Sequence, residues 1–256
     1  MENQKNKKSK LKIILIIVIF VILLIAGVFA YVQISEDNCT GDTTNVNAND
    51  EENNKTNINY EKSIWEQLKE NQPSIHKPII YLYPQEKTEI SVKLGKLEKI
   101  TCSYPKYEDE WKVVAEPDGT LIDIKTQREL YALYWEGKDM KQPKMTDGFV
   151  IKGEDTIKFL EEKLEILGLN EREAEEFIIY WLPKMQNNKY NYIRFATIKE
   201  INEYMPLEFS VQPDSIIRVL MQYKSIDEYI EIQEQQLTTP KREGFVVVEW
   251  GGSEIK

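Results

Sequence analysis

Residues 156–183, TIKFLEEKLEILGLNEREAEEFIIYWLP, decide the fold class. Ile157, Leu160, Leu164 and Leu167 recur at steps of three and four, the period that lays apolar side chains along one helix face. Gly168 then stands where a left-handed cap closes such a helix. Asn170 opens a second helix, with Glu173 placed to complete a reciprocal cap, while Ala174, Phe177, Ile178 and Trp181 form its buried stripe and Pro183 is expected to end it. Only Gly168 and Leu169 separate the two helices, so a tight helical pair is expected.

On both sides of this pair the period falls to two. Residues 78–84 read PIIYLYP, a β-rich run closed at each end by proline, and Ile90, Val92 and Leu94 alternate with Glu89, Ser91 and Lys93. Residues 111–115 and 120–124 flank Pro117-Asp118-Gly119, where proline presets φ and glycine tolerates a positive φ, so a hairpin is expected. A further strand is expected over residues 130–135, and beyond the helices over 192–197, 207–211, 216–223, 229–233 and 245–250. Connections in the first half are too short for crossovers, which makes its pairing antiparallel. Strands, a helical pair and strands again give an α+β domain, a mainly antiparallel β-sheet with an inserted helical pair.

The chain ahead of this domain has a different character. A run of twenty residues, IILIIVIFVILLIAGVFAYV, opens at Ile13 and closes at Val32 with no charge. At roughly 1.5 Å per residue it spans about 30 Å, the hydrocarbon thickness of a bilayer. Lys5, Lys7, Lys8, Lys10 and Lys12 precede it against Glu2 alone, so residues 1–12 are expected to be a cytoplasmic tail, with everything beyond residue 32 extracytoplasmic. The run exceeds the 7 to 15 apolar residues usual for a cleaved signal, which favours retention as a signal-anchor; cleavage after Ala30 is the competing reading. Residues 33–61 are rich in Asn and acidic side chains and poor in large apolar ones, the composition of a disordered tether. Ile64, Trp65 and Leu68 mark a short amphipathic segment at the start of the extracytoplasmic domain, residues 62–256.

Composition narrows the function. The chain carries net charge −10, and the first twelve residues hold five of its lysines, so the outer part is more acidic still. Nucleic acid is therefore a poor partner, since gripping phosphates needs a basic footprint. The lipid bilayer is the partner of residues 13–32, with cell-wall glycan or an envelope protein as candidate partners of the domain. One His and two Cys cannot build an ordinary zinc site, and HExxH, CxxC, GxxxxGK[ST] and GxSxG are absent. No metal or cofactor is expected. Cys39 lies in the tether and Cys102 in a strand, where it reads as a small buried hydrophobe; a bridge between them is permitted outside the cytoplasm.

Several blocks, KPIIYLYP (77–84), SYPKYEDEWKVVAEPDGTL (103–121), YWEG (134–137), GFVIKGEDT (148–156), LGLNEREAEEFIIYWLPKM (167–185) and GFVVVEWGG (244–252), resemble a group of uncharacterised membrane-anchored cell-envelope proteins of Gram-positive, largely clostridial, bacteria. The resemblance implies a bacterial surface location and one continuous domain from about Lys77 to Gly252. It carries no activity and no catalytic residue.

Candidate chemistry centres on carboxylates beside tryptophans. Glu136 follows Trp135, and Glu249 precedes Trp250, each near a strand end. A facing pair of such groups is the minimal equipment of a glycosidase, so a cell-wall polysaccharide hydrolase using Glu136, Glu249 or Glu154 is one reading. Glu154 and Asp155 also suit the acidic first turn of the helix near Thr156. A glycan-binding module using exposed Trp135 and Trp250 is a second reading. In the leading one, Trp135 and Trp250 are core residues and the domain is a non-enzymatic binding or structural module. His76, the sole histidine, lies near Ser74 but has no flanking nucleophile signature.

Overall fold

The apolar run Pro78 to Tyr83 lies inside the first strand of a three-layered domain, and Pro84 follows its end. The computed structural model describes residues 73–255. The expected membrane run 13–32, with its cleavage alternative at Ala30, the tether with Cys39 and the segment carrying Ile64, Trp65 and Leu68 lie outside the described residues. Among the described residues no helix is long and apolar enough to cross a membrane.

In chain order the strands are β1 (His76–Tyr83), β2 (Thr88–Leu94), β3 (Ile100–Tyr104), β4 (Trp111–Ala115), β5 (Leu121–Asp123), β6 (Glu129–Leu130), β7 (Leu133–Gly137), β8 (Asp147–Lys152), β9 (Tyr190–Phe195), β10 (Leu207–Phe209), β11 (Ser215–Ile226), β12 (Gln233–Glu234) and β13 (Val246–Glu254). The helices are α1 (Thr156–Ile166), α2 (Glu171–Met185) and α3 (Ile198–Tyr204). Eight strands form one sheet in the order β12-β8-β9-β11-β13-β1-β7-β3, and five form another in the order β10-β2-β4-β5-β6.

Alternation explains how β1 holds the layers together. Ile79 and Tyr81 point to the side covered by α1 and α2, joining Phe159, Leu164, Phe177 and Trp181. Ile80 and Leu82 point the other way, toward Ile90, Val92, Val113 and Leu121 of the smaller sheet and Ile201 of α3. A strand buried on both faces reads as a continuous apolar run, whereas β2, with one face in water, alternates as its sequence indicates.

The α+β class and the mainly antiparallel pairing are present, and the smaller sheet is antiparallel throughout. The larger sheet is mixed: β11 pairs with β13, and β12 with β8, in parallel. Both parallel contacts lie beyond the first half of the chain, where longer connections let a strand return to the end at which its partner starts. The Pro117-Asp118-Gly119 hairpin forms between β4 and β5, with Gly119 at φ 89°. The tight helical pair forms too, with Gly168 at φ 86° and the reciprocal Asn170–Glu173 cap in place.

Four local expectations need correction. Helix α2 runs through Pro183 to Met185; proline lacks the N–H that would bond back to Ile179, but Ile179 is solvent-exposed, so its carbonyl can find water. Ile157 is exposed, and Thr156 takes the buried place beside Phe159 and Leu160. The expected strand at 130–135 is two strands in different sheets, β6 and β7. Of the 229–233 region only Gln233 is paired, in the two-residue strand β12 that it forms with Glu234.

Helix α3 was not expected as a helix, although Thr197 and Glu200 form a capping box at its start. Burial works against the Glu200 carboxylate, but bonds from Thr197 and Arg194 outweigh it and lower its pKa. A carboxylate lowered in the folded state stabilises fully above its unfolded pKa, about 4.3, and loses that contribution as pH falls through the folded value. Unfolding midpoints measured between about pH 6 and 3 should therefore fall with acidity, and Glu200→Gln, which can still complete the box, should flatten part of that decline.

Candidate functional site

Beyond the helical pair, the end of the larger sheet that carries β7 and β3 is left uncovered, and an open groove of about 750 Å3 forms there. Its floor is Ile79 of β1 with Leu130 and Ala132; Tyr134 and Glu136 of β7 and Tyr104 of β3 form one side, and Arg172 and Tyr180 of α2 the other. Thr120, Glu129 and Tyr131 line the far end, and Lys77 lines the groove beside Glu136. Concave size and convergent polar groups on an aromatic surface are the ordinary marks of a ligand site.

Lys77 is the irregular point. It adopts φ 60°, a left-handed conformation that side chains other than glycine rarely take, within an irregularity of the β1–β13 ladder between His76 and Ile79. In that conformation its N–H donates to Glu136 Oε1 at 3.2 Å, and its ammonium lies 5.7 Å from the Tyr180 ring centroid. His76 Nδ1 is 3.8 Å from the same carboxylate oxygen. Burial and then a bond to Glu136 push the Tyr134 hydroxyl well above the ordinary range, so it stays protonated.

The opposite wall is braced from the core. Trp250 Nε1 donates to the Tyr81 hydroxyl at 3.2 Å, Tyr81 donates to Glu176 Oε2 at 2.7 Å, and Arg172 Nε donates to Glu176 Oε1 at 3.1 Å. Arg172 in turn sits over the Tyr131 ring at 5.4 Å. Burial, followed by the bond to Glu176, raises the Tyr81 pKa, so that hydroxyl remains a donor.

Glu136 is the one sequence candidate that reaches the groove. Glu249 lies on β13 and faces the smaller sheet, away from the groove, at 4% exposure. Its Oε2 is 2.6 Å from Arg218 Nε and Nη2, and its Oε1 accepts from Trp135 Nε1 at 3.0 Å. Alternation along β1, β7 and β13 therefore puts Glu136 and Glu249 on opposite faces of one sheet. Glu154 sits in the turn between β8 and α1, bound to Lys152 at 3.1 Å. Four strands lie between β8 and β7, roughly 24 Å at usual strand spacing. The carboxylate pair of the hydrolase alternative does not form from these three residues, since glycosidase carboxyls lie only about 5 to 9.5 Å apart.

The tryptophans are core residues, as the leading reading has them, and the alternative of an exposed tryptophan platform does not hold. Trp135 is 2% exposed and stacks near Tyr204, and Trp250 is fully buried against Phe177. Cys102 is an exposed side chain opposite Glu136, with no disulfide partner among the described residues, and not a small buried hydrophobe, because β3 is an edge strand among those residues. Among the described residues no group of three or more His, Cys, Asp or Glu is gathered to hold a metal.

A second cavity, about 640 Å3, lies beside Arg194, whose guanidinium is already engaged by Asp147, Gln222 and Glu200. The first groove is the better candidate because Tyr104 and Tyr131 keep about half of their surface exposed there. No sequence signal nominated Tyr104, Tyr131, Tyr134 and Tyr180 as a group; they meet only through β3–β7 pairing and the placement of α2.

No protein-family model, no curated protein and no solved structure matches this chain.

If Lys77 carries backbone strain, Lys77→Gly should raise the unfolding free energy by up to about 1 kcal/mol, since glycine accepts positive φ freely. A loss of similar size in chemical unfolding would show that the lysine conformation is not strained.

Proposed function

We propose that this chain is a membrane-anchored extracytoplasmic protein of the bacterial cell envelope, with its N-terminus cytoplasmic, and that its α+β domain is a non-enzymatic binding module whose ligand site is the tyrosine-walled groove. The address follows from the lysine-flanked apolar run and from the resemblance of the domain blocks to envelope proteins. The groove carries the molecular part of the reading: an open concavity with four tyrosines and a few fixed polar groups is equipped to hold a ligand.

Catalysis fits this groove less well. Of the three carboxylates nominated from sequence, only Glu136 lines it, and the other carboxylate there, Glu129, is a solvent-exposed group at the far end. A general acid of a glycosidase needs a setting that holds its proton near neutral pH, as apolar enclosure does. An exposed glutamate lacks that enclosure.

The full chain, held in detergent micelles, should co-sediment with Gram-positive cell-wall material and release no soluble sugar from it. Tyr104→Ala combined with Tyr131→Ala should weaken that binding about tenfold, as two aromatic contacts of roughly 0.5 to 1.5 kcal/mol each predict. Unchanged binding in the double variant would remove the groove from the reading, and sugar release abolished by Glu136→Gln would replace the binding module with an enzyme.

A further inference from the structure

We infer that the groove takes a neutral oligosaccharide of pyranose rings. This rests on the reading of the groove as the ligand site and specifies its chemical class. Tyr104 and Tyr131 stand 50% and 48% exposed at the groove, too open for core packing to explain them. Tyr104 offers a flat apolar face with a hydroxyl at its rim, and Tyr131 offers the ring surface that the Arg172 guanidinium, 5.4 Å from its centroid, leaves exposed. A pyranose has the matching form: a face of C–H groups that lies on an aromatic ring, and a rim of hydroxyls that needs donors and acceptors in the ring plane.

The polar groups suit hydroxyls. Glu136 accepts and is held by the backbone bond from Lys77, and the Lys77 ammonium, 5.7 Å from the Tyr180 ring centroid, donates. Groups fixed before the ligand arrives lose little freedom on binding it. The charges nearly balance: Lys77 and Arg172 face Glu129 and Glu136, and Arg172 is already paired with Glu176. Such a lining offers no excess positive charge to an anionic polymer, which the acidic chain would also repel.

An extended peptide is the main rival, because among the described residues β3 is an unpaired sheet edge beside the groove. That edge is short and irregular, with its register shifting between Ile100 and Cys102. Bulged, short edges resist strand addition. The tyrosine faces, which do not depend on a regular ladder, are left as the principal contact surface.

Isothermal titration of the full chain in micelles with chitotetraose and cellotetraose, and separately with an uncharged alanine–threonine hexapeptide, tests the inference. At least one oligosaccharide should bind saturably and displace the chain from wall material. Tyr104→Ala with Tyr131→Ala should weaken that affinity at least about tenfold, whereas the phenylalanine pair at the same positions should stay within about threefold. Tyr229→Ala removes another exposed tyrosine, outside the groove, and should change nothing; the phenylalanine pair guards against a folding defect. If wall binding depends on Tyr104 and Tyr131 but only the peptide competes, or neither sugar binds, the ligand class is overturned while the binding site stands. If the full chain does not bind wall material at all, the binding-module reading itself fails.

Discussion

Arg218 and Glu249 meet between the two sheets, where each is almost wholly shielded from water. Isolated charges in such a place would cost several kcal/mol apiece, so their persistence requires close pairing and saturation of the remaining polar atoms. The pairing is close, and of the two side chains' polar atoms only Arg218 Nη2 lacks a well-aligned hydrogen bond. Arg218 Nε and Nη2 converge on one Glu249 oxygen at 2.6 Å, Trp135 donates to the other, and Arg218 Nη1 reaches Asn202 at 2.6 Å and the Met205 carbonyl at 3.0 Å. Four elements, β11, β13, β7 and the α3 region, are thereby fixed to one another at a polar point inside an apolar layer. Replacing the set by well-packed hydrophobes need not weaken a fold, but losing one partner strands the other charge. The arrangement thus sets the register of β11 against β13, where Arg218 stands directly beside Glu249.

The same sheet then gives two neighbouring strands opposite tasks. On the inner face, Trp135 and Glu249 close the polar point. On the outer face, one residue along from Trp135, Glu136 opens into the groove with Tyr134 and Lys77. The period-two geometry of a strand makes this division automatic, and it converts two similar glutamate–tryptophan dipeptides into unlike groups. Trp250 contributes to the groove indirectly: through Tyr81 and Glu176 it helps hold Arg172, so the wall is anchored in the core.

Much of the scaffold is legible in the sequence because its signals are local. The capped helical pair follows from the spacing of Leu160, Leu164, Phe177 and Trp181 and from Asn170 with Glu173. The hairpin follows from Pro117-Asp118-Gly119, and the two-sided burial of β1 is visible in its unbroken apolar run. Helix α3 is the least legible element, since seven residues give too little periodicity to stand out even with Thr197 and Glu200 in capping positions. The groove was hidden for a different reason. Tyr104, Tyr131 and Tyr180 are distant in sequence, and tyrosine suits half-buried strands as well as ligand walls. Likewise, the burial of Trp135 and Trp250 depends on which sheet face each occupies, and that is settled only when β1, β7 and β13 pair.

The central claim is that Glu249 belongs to the fold and Glu136 to the groove. Chemical denaturation of Glu249→Gln and Glu136→Gln, measured side by side on the full chain, tests it most directly. Glu249→Gln is expected to lose about 3 to 5 kcal/mol, because Arg218 remains buried without its counter-charge, and Glu136→Gln to stay within about 1 kcal/mol of the parent. Equal stability of the two variants, or a larger loss at Glu136, would contradict that division.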